Sequence, residues 1–204
     1  MQKTSIVEMN RLSIDEFHKA PKIPLIVILD DVRSLHNVGS VFRTADAFRL
    51  EAVCLCGITA APDDVKGPDG MVVKQCSLKA AQEIHKTALG AENSVEWHYC
   101  ESAAEMVKQL QKEGCRVFAV EQCHGSTMLQ DFVIDGSASD IQRYAIVMGN
   151  EVKGVRQDVV DICDGCIEIP QYGTKHSLNV SVTAGIVIWH IAQQLTQRLT
   201  EKGE

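Results

Sequence analysis

Leu25-Ile-Val-Ile-Leu29, closed by Asp30-Asp31, is an unbroken apolar run too short for a typical helix. A strand with one wet face alternates apolar and polar residues, whereas an uninterrupted run reads as a strand covered on both faces. Downstream, residues 38–48 turn helical, with Val38, Val41, Phe42, Ala45 and Phe48 on one stripe. Ala52 to Cys56 reads as the next strand, and the rhythm then repeats. A helix is expected at 77–88, a strand at 94–99 and a charged helix at 101–113 ended by Gly114. Arg116–Val120 and Tyr144–Met148 are buried-type strands, followed by a helix at 155–162, a strand at 166–169 and a long helix from about 178 to 198. The stretches 57–70 and 123–142 read as a loop and a polar connection. Strands alternating with helices imply a doubly wound, mostly parallel α/β sheet. In such sheets ligands bind beyond the carboxyl ends of the strands, so the loops after strands are where chemistry belongs.

The 204 residues, 45% hydrophobic and 23% charged, fit one globular domain and exclude disordered, collagen-like and coiled-coil classes. Residues 1–24, polar and ending in Pro21-Lys-Ile-Pro24, read as an N-terminal extension, 25–198 as the domain and 199–204 as a tail. A formal charge of −7 lacks the basic excess usual in nucleic-acid binders. Total charge does not locate charges, however, and RNA stays open as a partner. Met1 to Arg11 has no apolar leader core, and no apolar run approaches a spanning helix, so a cytoplasmic chain with reduced thiols and no membrane partner is expected. Cys163-Asp-Gly-Cys166 has CxxC spacing, but nothing completes a ligand set and Asp-Gly favours a turn; no metal is expected. Cys54 and Cys56 read as packed inside a strand.

Three loops stand out. In Asn37-Val-Gly39-Ser-Val-Phe-Arg43-Thr44, Asn37 is suited to cap the helix, and Arg43 would lean back across Gly39 toward the crevice. The plainer reading pairs Arg43 with Asp30, Asp31 or Asp46. In Met148-Gly149-Asn150-Glu151-Val-Lys153-Gly154-Val155, two glycines five apart permit a tight turn and close approach to a ligand. Val155 stands where a phosphate-binding loop needs Lys, so that motif fails. Glu151 by itself reads as a solvated carboxylate or a cap. From Ile169-Pro170 to Gly185, alternation over Ser177–Val182 imitates a strand, while Leu178, Val182, Ile186 and Trp189 make a helical stripe. Periodicity leaves both open; the plainer reading is a Gly-rich turn leading into a buried helix.

Together the three loops resemble the signature motifs of the SpoU (TrmH-like) RNA methyltransferases of the SPOUT superfamily. Asn37-x-Gly39-x-x-x-Arg43-Thr44 is similar to the first motif and Gly149-x-Glu151-x-x-Gly154 to the second. Ile169-Pro170 through Ser177-Leu178-Asn179-Val180-Ser181 is similar to the third, and Ala88-Leu-Gly-Ala-Glu92 with Val95-Glu96-Trp97 to the family's middle segment. The resemblance spans about residues 25–195 in the right order.

It implies a C-terminal trefoil knot, S-adenosylmethionine as cofactor, a homodimer that completes each active site, and methyl transfer to a ribose 2′-hydroxyl of structured tRNA or rRNA. It also implies roles. Arg43 would stabilise the developing alkoxide, since an always-charged guanidinium is a poor base. Asn37 would orient Arg43 or the ribose, Ser177 would bond a phosphate or relay a proton, and Glu151 and Asn179 would hold the loops. Val120, Glu121, Met148, Gly149, Asn150, Gly154, Ile169, Pro170, Leu178 and Asn179 would bind the cofactor. Gln171-Tyr172 departs from the family's usual Met after Ile-Pro, and His176 reads as a rim residue. A catalytically silent RNA-binding or assembly factor on the same fold is the alternative, opposed by the intact polar residues; a small-molecule enzyme is a second rival. Arg43, Lys153 and Lys175 fall in motif loops while much of the acid lies elsewhere, which leaves local positive potential for RNA.

Overall fold

The structure is a computed structural model that describes residues 3–5, 8–135 and 141–203. Its longest strand is β1 (Ile23–Asp30), inside the sheet between β2 (Leu50–Cys56) and β8 (Tyr144–Met148). The full order is β5-β2-β1-β8-β6-β9-β7, with β5 at Trp97–Cys100, β6 at Arg116–Val120, β7 at Thr127–Met128 and β9 at Gly165–Glu168. Every pairing in this sheet is parallel. The unbroken apolar run now has its physical reason. Leu25, Val27 and Leu29 face one core, against α2 (Leu35–Ala47) and α6 (Val180–Gly203). Ile26 and Ile28 face a second core, against α4 (Ala103–Lys112) and the single-turn α5 (Gln157–Val160). α3 (Leu78–Ala88) packs on α2.

Local chemistry starts the helices. Ser34, Ser77 and Ser102 cap α2, α3 and α4, accepting from the N–H of Asn37, Ala80 and Glu105. Asn37 is therefore not the cap expected of it; the helix begins one turn earlier. Phe17 of α1 (Ile14–Lys19) is buried in the first core, anchoring the N-terminal segment, and a Ser13–Glu16 capping box closes that helix.

Several expectations need correction. The stretch 57–70 holds the start of an antiparallel hairpin, β3 (Val65–Lys66) with β4 (Val72–Lys74). The half-buried Lys74 latches it, its Nζ donating to the carbonyls of Gly57 (2.9 Å) and Thr59 (3.0 Å) and sitting 3.8 Å from the centre of the Tyr99 ring. The polar connection carries β7 and one 3-10 turn over 129–131; its residues 136–140 lie outside the described residues, as do 1, 2, 6 and 7 of the N-terminal extension and Glu204 of the tail. The expected 155–162 helix is only α5. α6 starts at Val180, and the alternating stretch before it forms no strand.

α6 is apolar on both sides. Ala184, Val187, Ile188, Ile191, Ala192 and Leu195 fill the core. The stripe read from sequence points the other way: Leu178, just before the helix, is 38% exposed, Val182 51%, Ile186 38% and Trp189 51%. Cys54 and Cys56 are buried, and burial pushes the Cys54 thiol up to about 12, which leaves it protonated and inert. Among the described residues no His, Cys, Asp or Glu cluster is placed to hold a metal, and no helix is long and apolar enough to cross a membrane.

Candidate active site

The carboxyl ends of β6, β8 and β9 open into one cavity, and the loop after β8 is its main wall. Asn150 and Gly154 pair with each other through both backbone N–H groups (3.1 and 2.9 Å). The Asn150 Oδ1 accepts from the N–H of Val152 and Lys153, and its Nδ2 donates to the Asp31 carbonyl at 2.8 Å. This turn is tight enough to forbid side chains. A Cβ on Gly149 would sit 2.1 Å from the Gly154 carbonyl carbon; one on Gly154, where φ is +67°, would sit 2.0 Å from the Glu121 carboxylate. That carboxylate accepts from the N–H of Val155 (2.9 Å) and Gln122 (2.8 Å), fastening the loop after β8 to the loop after β6.

A second set of bonds joins the three motif loops. Glu151 accepts from the N–H of Arg33 (3.0 Å) and Ser34 (2.9 Å) and from the Asn37 Nδ2 (3.0 Å). The Asn37 Oδ1 accepts from the Asn179 Nδ2 at 3.0 Å and from the Ser181 hydroxyl at 3.4 Å. The Asn179 Oδ1 in turn accepts from the Ser181 N–H at 2.9 Å, starting α6. Burial pushes the Glu151 carboxyl up, but the donors from Arg33, Ser34, its own backbone and Asn37 outweigh that and hold it below its usual range. It is an ionised clamp rather than a solvated loop carboxylate. Asp30, at the end of β1, is 1% exposed, and its Oδ2 has no partner among the described residues; desolvation raises its pKa, opposed by the nearby Arg156 charge.

The cavity holds about 610 Å³, within the range of small-molecule sites. Val120, Glu121, Met148, Gly149, Asn150, Gly154, Ile169, Leu178 and Asn179 line it, with Glu151 and Ser177; Pro170 does not. Gln122, Cys123, Glu168 and Thr183 also line it and were not singled out by sequence. Their positions just after β6, at the end of β9 and in the first turn of α6 were the available signal. Gln122 additionally ties loops together, its Nε2 donating to the His176 carbonyl at 2.7 Å.

Arg43 is elsewhere. It is exposed beside a second cavity of about 480 Å³ between α2 and α3, shared with Ser40, Thr44, Phe48, Lys86 and Thr87. Neither Asp30, Asp31 nor Asp46 pairs with it, and Asn37 does not bond to it; Asp46 accepts instead from the Ser94 hydroxyl. Gly39 does not serve to make room for Arg43. A Cβ there would meet the Ile84 carbonyl and the Thr87 hydroxyl, each at 2.2 Å, so this glycine lets α2 and α3 touch.

A parallel α/β sheet with carboxyl-end loops closed on such a cavity defines a small-ligand-binding α/β protein. Comparison with known proteins narrows this: the chain belongs to the SpoU rRNA Methylase family, whose model matches residues 64–189. It is 32% identical over 171 residues to the 23S rRNA (guanosine-2′-O-)-methyltransferase RlmB of Neisseria meningitidis, covering 84% of this chain and 59% of that protein. The RlmB of Coxiella burnetii is likewise 32% identical over 172 residues, covering 83% and 58%. The chain thus spans less than two thirds of these relatives. Among solved structures, the A. aeolicus TrmH/SpoU tRNA modifying enzyme matches with a TM-score of 0.68 at 23% identity, covering 91% of this chain and 81% of that one. The AdoMet-bound rRNA methyltransferase of Sinorhizobium meliloti matches at 0.66 and 21%, covering 86% and 61%.

Proposed function

We propose that this protein transfers the methyl group of S-adenosylmethionine to a ribose 2′-hydroxyl of rRNA or tRNA. The observation that carries it is the Glu151–Asn37–Asn179 hydrogen-bond chain, which ties the first family motif to the second and third, the two that line one cavity of ligand size.

The lining suits this cofactor. Glu121, Glu151 and Glu168 stand against one cation, Lys153, so the cavity favours a sulfonium and disfavours a phosphorylated dinucleotide. Val120, Met148 and Ile167 give an apolar floor for an adenine ring, and the loop backbones around Gly149, Ile169 and Leu178 offer its polar edge partners. When bound, the cofactor supplies an electrophilic methyl with its leaving group already attached. The protein's task is then positional: hold the ribose oxygen in line and stabilise the charge it develops. Ser177, exposed on the rim, is placed to bond the incoming phosphate or ribose. Arg43, exposed and without a partner among the described residues, is a cation available to a developing alkoxide or adjacent phosphate.

Arg43 lines a different cavity from Ser177, which argues for two copies per active site. The outward stripe of α6 connects the two places. Leu178 lines the cofactor cavity; Val182, Ile186 and Trp189 follow; and the Trp189 ring lies 5.9 Å from that of Phe48, which lines the Arg43 cavity. A two-fold contact over this stripe brings the Leu178 end of one copy to the Phe48 end of the other, and a second copy's Arg43 with it. We also read the passage from β9 back to α6, packed on β1 and α2, as the crossing of a trefoil knot.

The test is transfer of radiolabelled methyl from S-adenosylmethionine into rRNA or tRNA, with 2′-O-methyl sites mapped in cells with and without the gene. Label in RNA and a lost 2′-O-methyl support the reading; cofactor binding with no transfer to either RNA overturns it in favour of the silent factor.

A further inference from the structure

We infer that the cavity beside Trp97 is a nucleobase pocket, taking a base of the same RNA strand whose phosphate meets Arg43. The inference rests on the RNA reading above. The C-terminal half of α3 separates two surface cavities, and Lys86 lines both. One is the Arg43 cavity. The other, of about 600 Å³, is lined by Pro62, Ala81, Gln82, His85, Asn93 and Trp97, among others. A strand laid over α3 therefore meets an exposed guanidinium on one side and a half-buried indole on the other, the pairing of phosphate grip with stacking platform that single-stranded nucleic acid uses.

Charge and hydrogen bonding choose the ligand. The basic groups at the Trp97 cavity are already paired. His85 pairs with Glu92 at 2.5 Å, Glu92 also accepts from the Gly90 N–H at 3.0 Å, and Lys86 pairs with Glu83 at 2.5 Å. Asp63 accepts from the Asp64 N–H. An anion finds both cations already paired, and the exposed Asp63 carboxylate, which no cation pairs among the described residues, repels phosphate. The exposed side-chain amides of Gln82 and Asn93, in contrast, have no protein hydrogen-bond partner among the described residues, and each offers a donor and an acceptor. A flat neutral heterocycle with mixed donors and acceptors on its edge, flanked by indole, satisfies both. Phosphate belongs on the Arg43 side. The pocket would thus read the neighbourhood of the methylated nucleotide without touching the methyl donor.

The experiment uses the full chain carrying Trp189→Phe, which leaves Trp97 as its only tryptophan. Its emission is titrated with a single-stranded adenine RNA hexamer at saturating S-adenosylmethionine, with ribose 5-phosphate as control. The expected result is saturable quenching by the hexamer, none by ribose 5-phosphate, and a Kd raised tenfold or more in Gln82→Ala/Asn93→Ala with cofactor affinity by calorimetry unchanged. Equal quenching by ribose 5-phosphate, or an unchanged Kd in the double variant, overturns the pocket. If Trp189→Phe perturbs the fold, the indole N–H resonance of Trp97 in the unsubstituted chain reports the same contact. Normal cofactor binding and methyl transfer without these effects sink the pocket and leave the methyltransferase reading standing.

Discussion

Asn179 donates its side-chain N–H to the Oδ1 of Asn37 at 3.0 Å, across 142 positions of sequence. Asn37 spends its own N–H on Glu151, so one amide links the first, second and third motifs. Asn37→Ala and Asn179→Ala should each cost about 1 kcal/mol of stability, and a double-mutant cycle in urea should show them non-additive by a similar amount. Additive losses would mean that the bond carries no coupling.

Glu151 makes a pH-dependent prediction. Its folded pKa lies below the ordinary 4.5, so the stabilisation it supplies is complete above 4.5 and is lost as pH falls through the lower folded value. Glu151→Gln should therefore lower the urea midpoint at neutral pH, and its deficit should shrink on acidification below 4.5. A deficit independent of pH contradicts the clamp.

Asp30 should behave oppositely. Its pKa is raised by burial, so its ionisation costs stability as pH rises above the ordinary 3.8. Asp30→Asn should stabilise at neutral pH by about 1 kcal/mol, with the gain fading in acid. Thermal melts across pH check the sign.

Arg43→Ala should leave stability within about 0.5 kcal/mol, because the side chain is exposed and makes no pair among the described residues. Cofactor affinity should also hold, while methyl transfer falls by 100-fold or more. Undiminished transfer removes Arg43 from the reaction.

Ile186→Asp with Trp189→Glu places charges on the outward face of α6, away from the core residues. Sedimentation should show the substituted chain monomeric, still binding S-adenosylmethionine but inactive on RNA. A monomeric unsubstituted chain would leave the stripe without the partner assigned to it.

The central strands were legible because chemistry on both faces agreed: Arg116–Val120 and Tyr144–Met148 end where sequence placed them. What escaped was decided by distant partners. Ser34 and Asn37 are both good caps three residues apart, and Glu151 settles the matter by occupying Asn37. Gly39 looked like clearance for Arg43 because its true neighbour, α3, is not adjacent in sequence. The α6 stripe was found, but periodicity names a face without saying whether the core or solvent meets it. The motif residues became a site only through family resemblance; spacing alone left Glu151 and Arg43 as ordinary surface charges. Gln122 and Thr183 had no resemblance to carry them.

β1 precedes every other described strand of the sheet yet lies inside it, and its second neighbour, β8, is Tyr144–Met148. On a growing chain, one edge of this apolar strand waits unsheltered for more than half the length of the protein to follow. The Asn37–Asn179 bond waits longer still. The cavity is likewise complete only once the first turn of α6 has followed the strands, and until β8 is made the hazard is aggregation at the bare edge of β1.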